Sequence, residues 1–230
     1  LQSANIIFLY GIGGIGKTEL AKKVTYEYME QERKATVLFI SYQNNIVDSV
    51  CSDNVEIQNL TYSDKESNEE LFKRKLKIMK NLLTKKDLII IDNFDVEFDE
   101  HLEELFECKC KFLVTTRFDF RDTYYCIKVS PFRKIETVFE LFQQYNQYEY
   151  NEEEKEVLRD IFELVDRHTM TVELIAKNMR ISSIDPLELR EKLFTNDGIT
   201  ASGDIGIRFR KDRKTTKQSV EQHLKIILDL

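Results

Sequence analysis

The first apolar run of the chain is Ile6-Ile7-Phe8-Leu9-Tyr10, and it ends at a glycine. Four more follow: Thr36-Val37-Leu38-Phe39-Ile40, Leu88-Ile89-Ile90-Ile91, Phe112-Leu113-Val114-Thr115 and the weaker Cys126-Ile127-Lys128-Val129. These runs are short, rich in β-branched and aromatic residues, and mostly without alternation. That pattern predicts strands covered on both faces, as in a parallel sheet. Between them, residues 17–30, 69–83 and about 99–106 carry helical periodicity. Residues 43–66, rich in Asn, Ser and Asp, read as a loop with one short helix. Strand and helix alternate, which predicts a three-layer α/β domain with a parallel sheet.

The pattern changes at Ser130-Pro131. Beyond it, residues 134–145, 152–165, 171–179 and 186–194 read as helices, and no strand pattern intervenes. Asn151 before Glu152-Glu153-Glu154 is a helix start, because the amide can cap free N–H groups and the acids face the positive end of the helix dipole. Pro186 suits a first-turn position. Residues 195–214 break the periodicity with three glycines, and Ile205-Gly206-Ile207-Arg208-Phe209-Arg210 alternates like half of a hairpin. Val220, Leu224 and Ile227 predict a last amphipathic helix. The expected organisation is therefore an α/β domain over 1–131, an all-α helical subdomain over 132–195, and over 196–230 a hairpin or linker with the start of a further, truncated domain.

Composition narrows the class. The chain has 230 residues, 42% hydrophobic and 33% charged, with 7 Gly and 2 Pro. These values exclude a chain that is mainly disordered, collagen-like or linker-like. The net charge of −7 argues against a general nucleic-acid coat. No apolar run approaches the ~20 residues of a membrane span, and residues 6–10 are too short an apolar stretch for a signal peptide. Cys51, Cys108, Cys110 and Cys126 form no CxxC pair, and the three His do not cluster; we expect reduced thiols in a cytoplasmic protein. The first residue is Leu1, so a fragment of a longer chain is expected.

The strongest chemical signal is Gly11-Ile12-Gly13-Gly14-Ile15-Gly16-Lys17-Thr18. It fits G-x-x-x-x-G-K-[ST] between a strand and a helix, the context that a phosphate loop requires. Glycines let successive backbone N–H groups of Gly13, Gly14, Ile15 and Gly16 turn towards phosphate oxygens. Lys17 supplies charge for the β- and γ-phosphates, Thr18 a hydroxyl for Mg²⁺, and the helix N-terminus favours an anion. The same letters satisfy G-x-G-x-x-G through Gly11, Gly13 and Gly16. A dinucleotide site, however, wants an acid near the end of the second strand, where this chain has Ser41-Tyr42. The triphosphate reading also uses Lys17 and Thr18, for which a dinucleotide gives no role.

Two further strand ends fit that reading. Asp92 closes the third run and is placed to hold Mg²⁺ with Thr18. Thr115-Thr116-Arg117 closes the fourth and puts a permanently charged fork near the γ-phosphate.

In this order, the phosphate loop, Leu88–Asp92 and Thr-Thr-Arg resemble the nucleotide-binding domain of STAND ATPases of the NB-ARC type. Val129-Ser130-Pro131-Phe132 is similar to the family's lead into its helical subdomain. Val165-Asp166-Arg167-His168-Thr169-Met170-Thr171-Val172-Glu173-Leu174 is similar to its G-x-P-L-A region, with Met170 in place of the usual Pro. The resemblance implies an AAA+/STAND-like P-loop NTPase fold that binds ATP or ADP with Mg²⁺. Gly11, Gly13, Gly14, Ile15, Gly16, Lys17, Thr18, Arg117 and Met170 would hold the nucleotide; Thr18 and Asp92 would hold the metal. Asp92, Asp95 and Arg117 would serve hydrolysis. Asn93 stands where many relatives have a second acid, and an amide is not a general base towards water; Asp95 is the candidate to replace it.

The implied function is a regulatory switch. Nucleotide exchange and slow hydrolysis would control conformation and self-association of the full-length parent, with sensor and effector domains outside this chain. Two alternatives stay open. One is a constitutive P-loop ATPase or phosphotransferase. The other is a nucleic-acid-binding transcriptional regulator using Arg208, Arg210, Lys211, Arg213, Lys214 and Lys217, although nucleic acid and membrane are not the expected partners. His168 is open between sensing the nucleotide and capping a helix.

Overall fold

The computed structural model describes residues 5–52, 55–57, 60 and 66–196. The chain divides into two compact units, Leu1–Val129 and Ser130–Leu230. In the first, β1 (Ile6–Tyr10), β2 (Val37–Ser41), β3 (Leu88–Asp92), β4 (Lys111–Thr116) and β5 (Tyr125–Lys128) form one sheet in the order β2-β3-β4-β1-β5. All four pairings are parallel. Parallel strands need crossovers, and α1 (Lys17–Gln31), α2 (Ile46–Cys51), α3 (Asn68–Leu82) and α4 (Leu102–Phe106) lie along them. The fold is therefore an α/β layered P-loop architecture, as the patterning predicts.

Burial follows strand order. β3 is buried at every position and β4 at all but its first, whereas the edge strand β5 is largely exposed. That explains the weaker apolar signal of β5. The larger core cluster packs Phe8, Ile40, Ile89, Ile91, Phe112 and Val114 against Val50, Phe72, Leu76, Met79 and Leu105. The smaller cluster joins Leu9, Ala21, Leu88, Ile90 and Leu113. The expected loop over 43–66 contains α2, capped by Asn45, whose side chain accepts from Asp48 N at 2.7 Å. Ser67 and Glu70 form a capping box at the start of α3, which sets that start one residue earlier than the periodicity does.

At the opposite end of the sheet from the strand tips, Asp87 ties β2, β3 and the end of α3 together. Its carboxylate accepts from Thr36 N (2.6 Å), Thr84 N (2.6 Å) and Thr84 Oγ1 (2.8 Å). Burial alone would raise its pKa; the hydrogen bonds from Thr36 and Thr84 outweigh it and hold the group below its usual value.

The second unit is helical where described. It contains α5 (Ile135–Tyr145), α6 (Glu152–Leu164), α7 (Thr169–Ser182) and α8 (Pro186–Asn196). They share a core that includes Val138, Phe142, Leu158, Phe162, Val172, Ile175 and Leu193. Asn151 and Glu154 close a capping box on α6, and Asp185 Oδ1 accepts from Glu188 N at the start of α8. The expected hairpin near 205–210, the basic stretch and the last helix lie outside the described residues. Among the described residues no helix is long and apolar enough to cross a membrane. Cys51, Cys108, Cys110 and Cys126 are all free thiols.

Asp87→Asn keeps the shape but loses the charge and part of the accepting capacity. We expect it to destabilise the first unit by about 1–3 kcal/mol at pH 7, read as a lower urea midpoint. The folded pKa is depressed, so this stabilisation is complete above the unfolded value near pH 4 and fades as pH falls through it. The gap between wild type and variant should therefore close below about pH 4.

Candidate functional site

The strand tips build the site. β1 ends at Tyr10 opposite Thr116 of β4, and β2 ends at Ser41 opposite Asp92 of β3. This register brings the carboxyl ends of four strands to one rim, the edge at which such sheets take ligands. Gly11 continues the ladder by donating its N–H to Thr116 O at 3.3 Å. A Cβ at Gly11 would lie 2.6 Å from Val129 O, so close backbone approach requires glycine there. Gly14 and Gly16 take φ of 72° and 98°, the left-handed region that favours glycine. Gly16 is also the N-cap of α1, and no side chain caps that terminus. The helix's first N–H groups therefore face the loop with a net positive field.

Lys17 is buried, and its Nζ donates to Gly11 O (2.9 Å) and Ile12 O (3.0 Å). Burial, with some help from Arg117, pulls its pKa below the usual lysine range, while Asp95 and Asp92 oppose this. The ammonium thus folds over the loop that it would share with a phosphate. Thr18 Oγ1 lies 3.0 and 3.1 Å from the two oxygens of Asp92. Asp92 is only 3% exposed. Its Oδ1 also accepts from Thr115 Oγ1 at 2.6 Å, and Thr115 Oγ1 in turn accepts from Asn93 N at 2.9 Å.

Asn93 adopts φ 63°, a left-handed turn that Asn tolerates, and it is exposed at the rim. Asp95, two residues on, accepts from Arg117 N at Oδ1 (2.7 Å) and pairs with Arg117 Nε at Oδ2 (2.8 Å). The structure therefore gathers Gly11, Gly13, Gly14, Ile15, Gly16, Lys17, Thr18, Asp92, Asp95 and Arg117 in the first unit. Met170 belongs to the second unit, at the exposed start of α7. Its neighbour His168 is buried and caps that helix: Nδ1 accepts from Thr171 N (3.3 Å) and lies 2.8 Å from Thr171 Oγ1.

Pattern reading passed over Thr115, which fixes the orientation of Asp92. Only its need for a partner was legible, since a buried hydroxyl near the end of a strand must find one; which partner it finds depends on the strand order. It also passed over Asp99, whose carboxylate braces the rim by accepting from Tyr42 Oη (2.9 Å), Ile46 N (2.8 Å) and His101 N (3.0 Å).

The family model for the NB-ARC domain matches residues 1–146. The chain belongs to the NB-ARC family. No curated protein matches the sequence. Among solved structures, the Walker-type ATPase PABY2304 of Pyrococcus abyssi is similar at TM-score 0.54 and 14% identity, over 91% of this chain and 72% of that one. Domain III of the replication initiation protein DnaA from Thermotoga maritima is similar at TM-score 0.53 and 18% identity, over 81% and 82%. At such identities the likeness shows the P-loop fold alone. Together with the family it makes the first unit of this NB-ARC chain a nucleotide-binding, ATPase-type domain.

The residues fit a nucleotide with Mg²⁺. The loop's left-handed glycines and uncapped helix start suit an anion, and a hydroxyl beside a carboxylate suits a hard cation. Among the described residues no group of three or more His, Cys, Asp or Glu can hold a metal by itself.

The loop's glycines should differ in their tolerance. We expect Gly11→Ala to cost about 1–3 kcal/mol through overpacking against Val129 O, measured by chemical denaturation. A Cβ at Gly13 would meet only the Arg117 side chain, no closer than 3.5 Å. Gly13→Ala should therefore stay within about 0.5 kcal/mol of wild type.

Proposed function

We propose that this NB-ARC chain is the ATP/ADP-binding switch domain of a STAND signalling protein. The observation that carries the reading is the Thr18–Asp92–Thr115 hydrogen-bond chain beside Lys17. It sets a hydroxyl, a carboxylate and an ammonium at one end of the sheet, next to an uncapped helix start. In this reading Gly13, Gly14, Ile15 and Gly16 offer backbone N–H groups to the phosphates, and Lys17 leaves the loop carbonyls to neutralise them. Thr18 and Asp92 would hold Mg²⁺, which would supply positive charge against the phosphates. Arg117 reads the γ-phosphate, the group that distinguishes ATP from ADP. Met170, at the start of α7, is assigned to the nucleotide on the family pattern.

The hydrolytic side is weak, which favours a switch over a working enzyme. Asn93 has no basicity to activate water. Both oxygens of Asp95 already engage Arg117. Slow turnover leaves each nucleotide state long-lived, and only different contacts in those states can drive a conformational change. We assign self-association to the ATP state of the full-length parent, and sensing and effector roles to regions beyond this chain. The free thiols support a reducing cytoplasmic setting.

Calorimetric titration tests the assignment. Lys17→Ala should lose most affinity for both MgATP and MgADP, at least about tenfold. Unchanged affinities would remove Lys17 from the site. Arg117→Ala should weaken ATP more than ADP. Turnover of the wild-type domain should stay below about one per second, the low end of the enzyme range. Faster hydrolysis would favour the constitutive ATPase instead.

A further inference from the structure

Asp95 and Arg117 follow neighbouring strands, β3 and β4, so their loops stand side by side at the rim. Phe94 N donates to Thr115 O at 2.8 Å and pins the two loops together just before Asp95. The Asp95 carboxylate then holds Arg117 at two points: the backbone N–H at 2.7 Å and the side-chain Nε at 2.8 Å. A side chain held at its root and at Nε keeps little freedom in between. Among the described residues, the terminal nitrogens Nη1 and Nη2 donate no hydrogen bond. The guanidinium lies against the phosphate loop, with Cζ 3.5 Å, Nε 3.7 Å and Nη1 3.8 Å from where a Cβ of Gly13 would be. Nη1 is thus about as near the loop as the Nε that Asp95 holds.

We propose that Asp95 is a positioning residue for nucleotide specificity: it aims the terminal nitrogens of Arg117 over the phosphate loop, where they can read a third phosphate. This rests on the nucleotide reading above and extends it to a residue that the family pattern offered as a base. The geometry suits an anchor for Arg117, because each oxygen already carries a contact to it and a water on Asp95 would share the carboxylate with that cation. The charge argues the same way. A carboxylate at the mouth of a polyphosphate site repels every nucleotide, so its presence costs affinity for ATP and ADP alike. What it returns is an ordered Arg117, and only a ligand that reaches the Nη atoms gains from that order. For ATP the two effects oppose each other, whereas ADP feels only the repulsion, so the ratio of affinities separates them.

The test is a double-mutant cycle on the whole chain, with MgATP and MgADP affinities measured by calorimetry. Wild type, Asp95→Asn, Arg117→Ala and the double variant are compared, and circular dichroism checks that each is folded. Asp95→Asn should leave ADP affinity equal or slightly higher and lower the ATP:ADP affinity ratio about tenfold, the scale of one charge-assisted contact. In the Arg117→Ala background, the same substitution should not change the ratio further. Asp95→Glu, which keeps the charge but shifts the carboxylate, should fall between wild type and Asp95→Asn; it carries the test if the amide variant does not fold. An unchanged ratio in Asp95→Asn would overturn the proposal. So would an equal loss of turnover on Asp95→Asn in both backgrounds, which would make Asp95 the base. A wild-type chain that binds neither nucleotide would overturn the nucleotide reading itself, and this proposal with it.

Discussion

The site depends on one buried carboxylate. Asp92 closes the most enclosed strand of the sheet, and a carboxylate taken out of water must be hydrogen-bonded to persist there. Its partners are Thr18 at the start of α1 and Thr115 at the end of β4. Satisfying it therefore ties the start of α1, β3 and the neighbouring β4 into one unit. The same bonds fix which way the oxygens point. A polar requirement of folding and the geometry of a cation site are here the same constraint.

Around that anchor the charges are arranged in alternation. Lys17 is drawn in over the loop carbonyls, Asp92 pairs with Thr18, and Asp95 holds Arg117, whose guanidinium lies against the loop at Gly13. Each cation has a protein partner that a phosphate can replace or share. Preorganised charge of this kind favours binding without large rearrangement. Of the two residues placed to act as a base, Asn93 is an amide and Asp95 is engaged with Arg117. On the proposed reading, nucleotide binding and slow hydrolysis would follow from one set of contacts, as suits a protein that reports its nucleotide rather than consumes it.

Much of this was legible in the sequence, for identifiable reasons. β3 and β4 showed clearly because strands covered on both faces must be apolar throughout. β5 showed faintly because an edge strand can expose Tyr125 and Ile127. Gly11 through Thr18 were legible because close backbone approach and left-handed φ demand glycine in a fixed order. The pairing of Asp95 with Arg117 was not, since it depends on which strands become neighbours, and sequence order does not give the order β2-β3-β4-β1-β5. The role of Thr115 was hidden likewise, because a hydroxyl in a strand declares its partner only once β3 lies beside it. His168 left two readings open; its ring nitrogen beside Thr171 N makes it a cap.

The most direct test of the central claim is to denature the purified chain, identify any nucleotide that it releases, and titrate the stripped protein with MgADP and MgATP. The account predicts saturable binding of one adenine nucleotide per folded chain, with ADP or ATP carried through purification. A folded chain that releases no nucleotide and shows no saturable binding of either would contradict it.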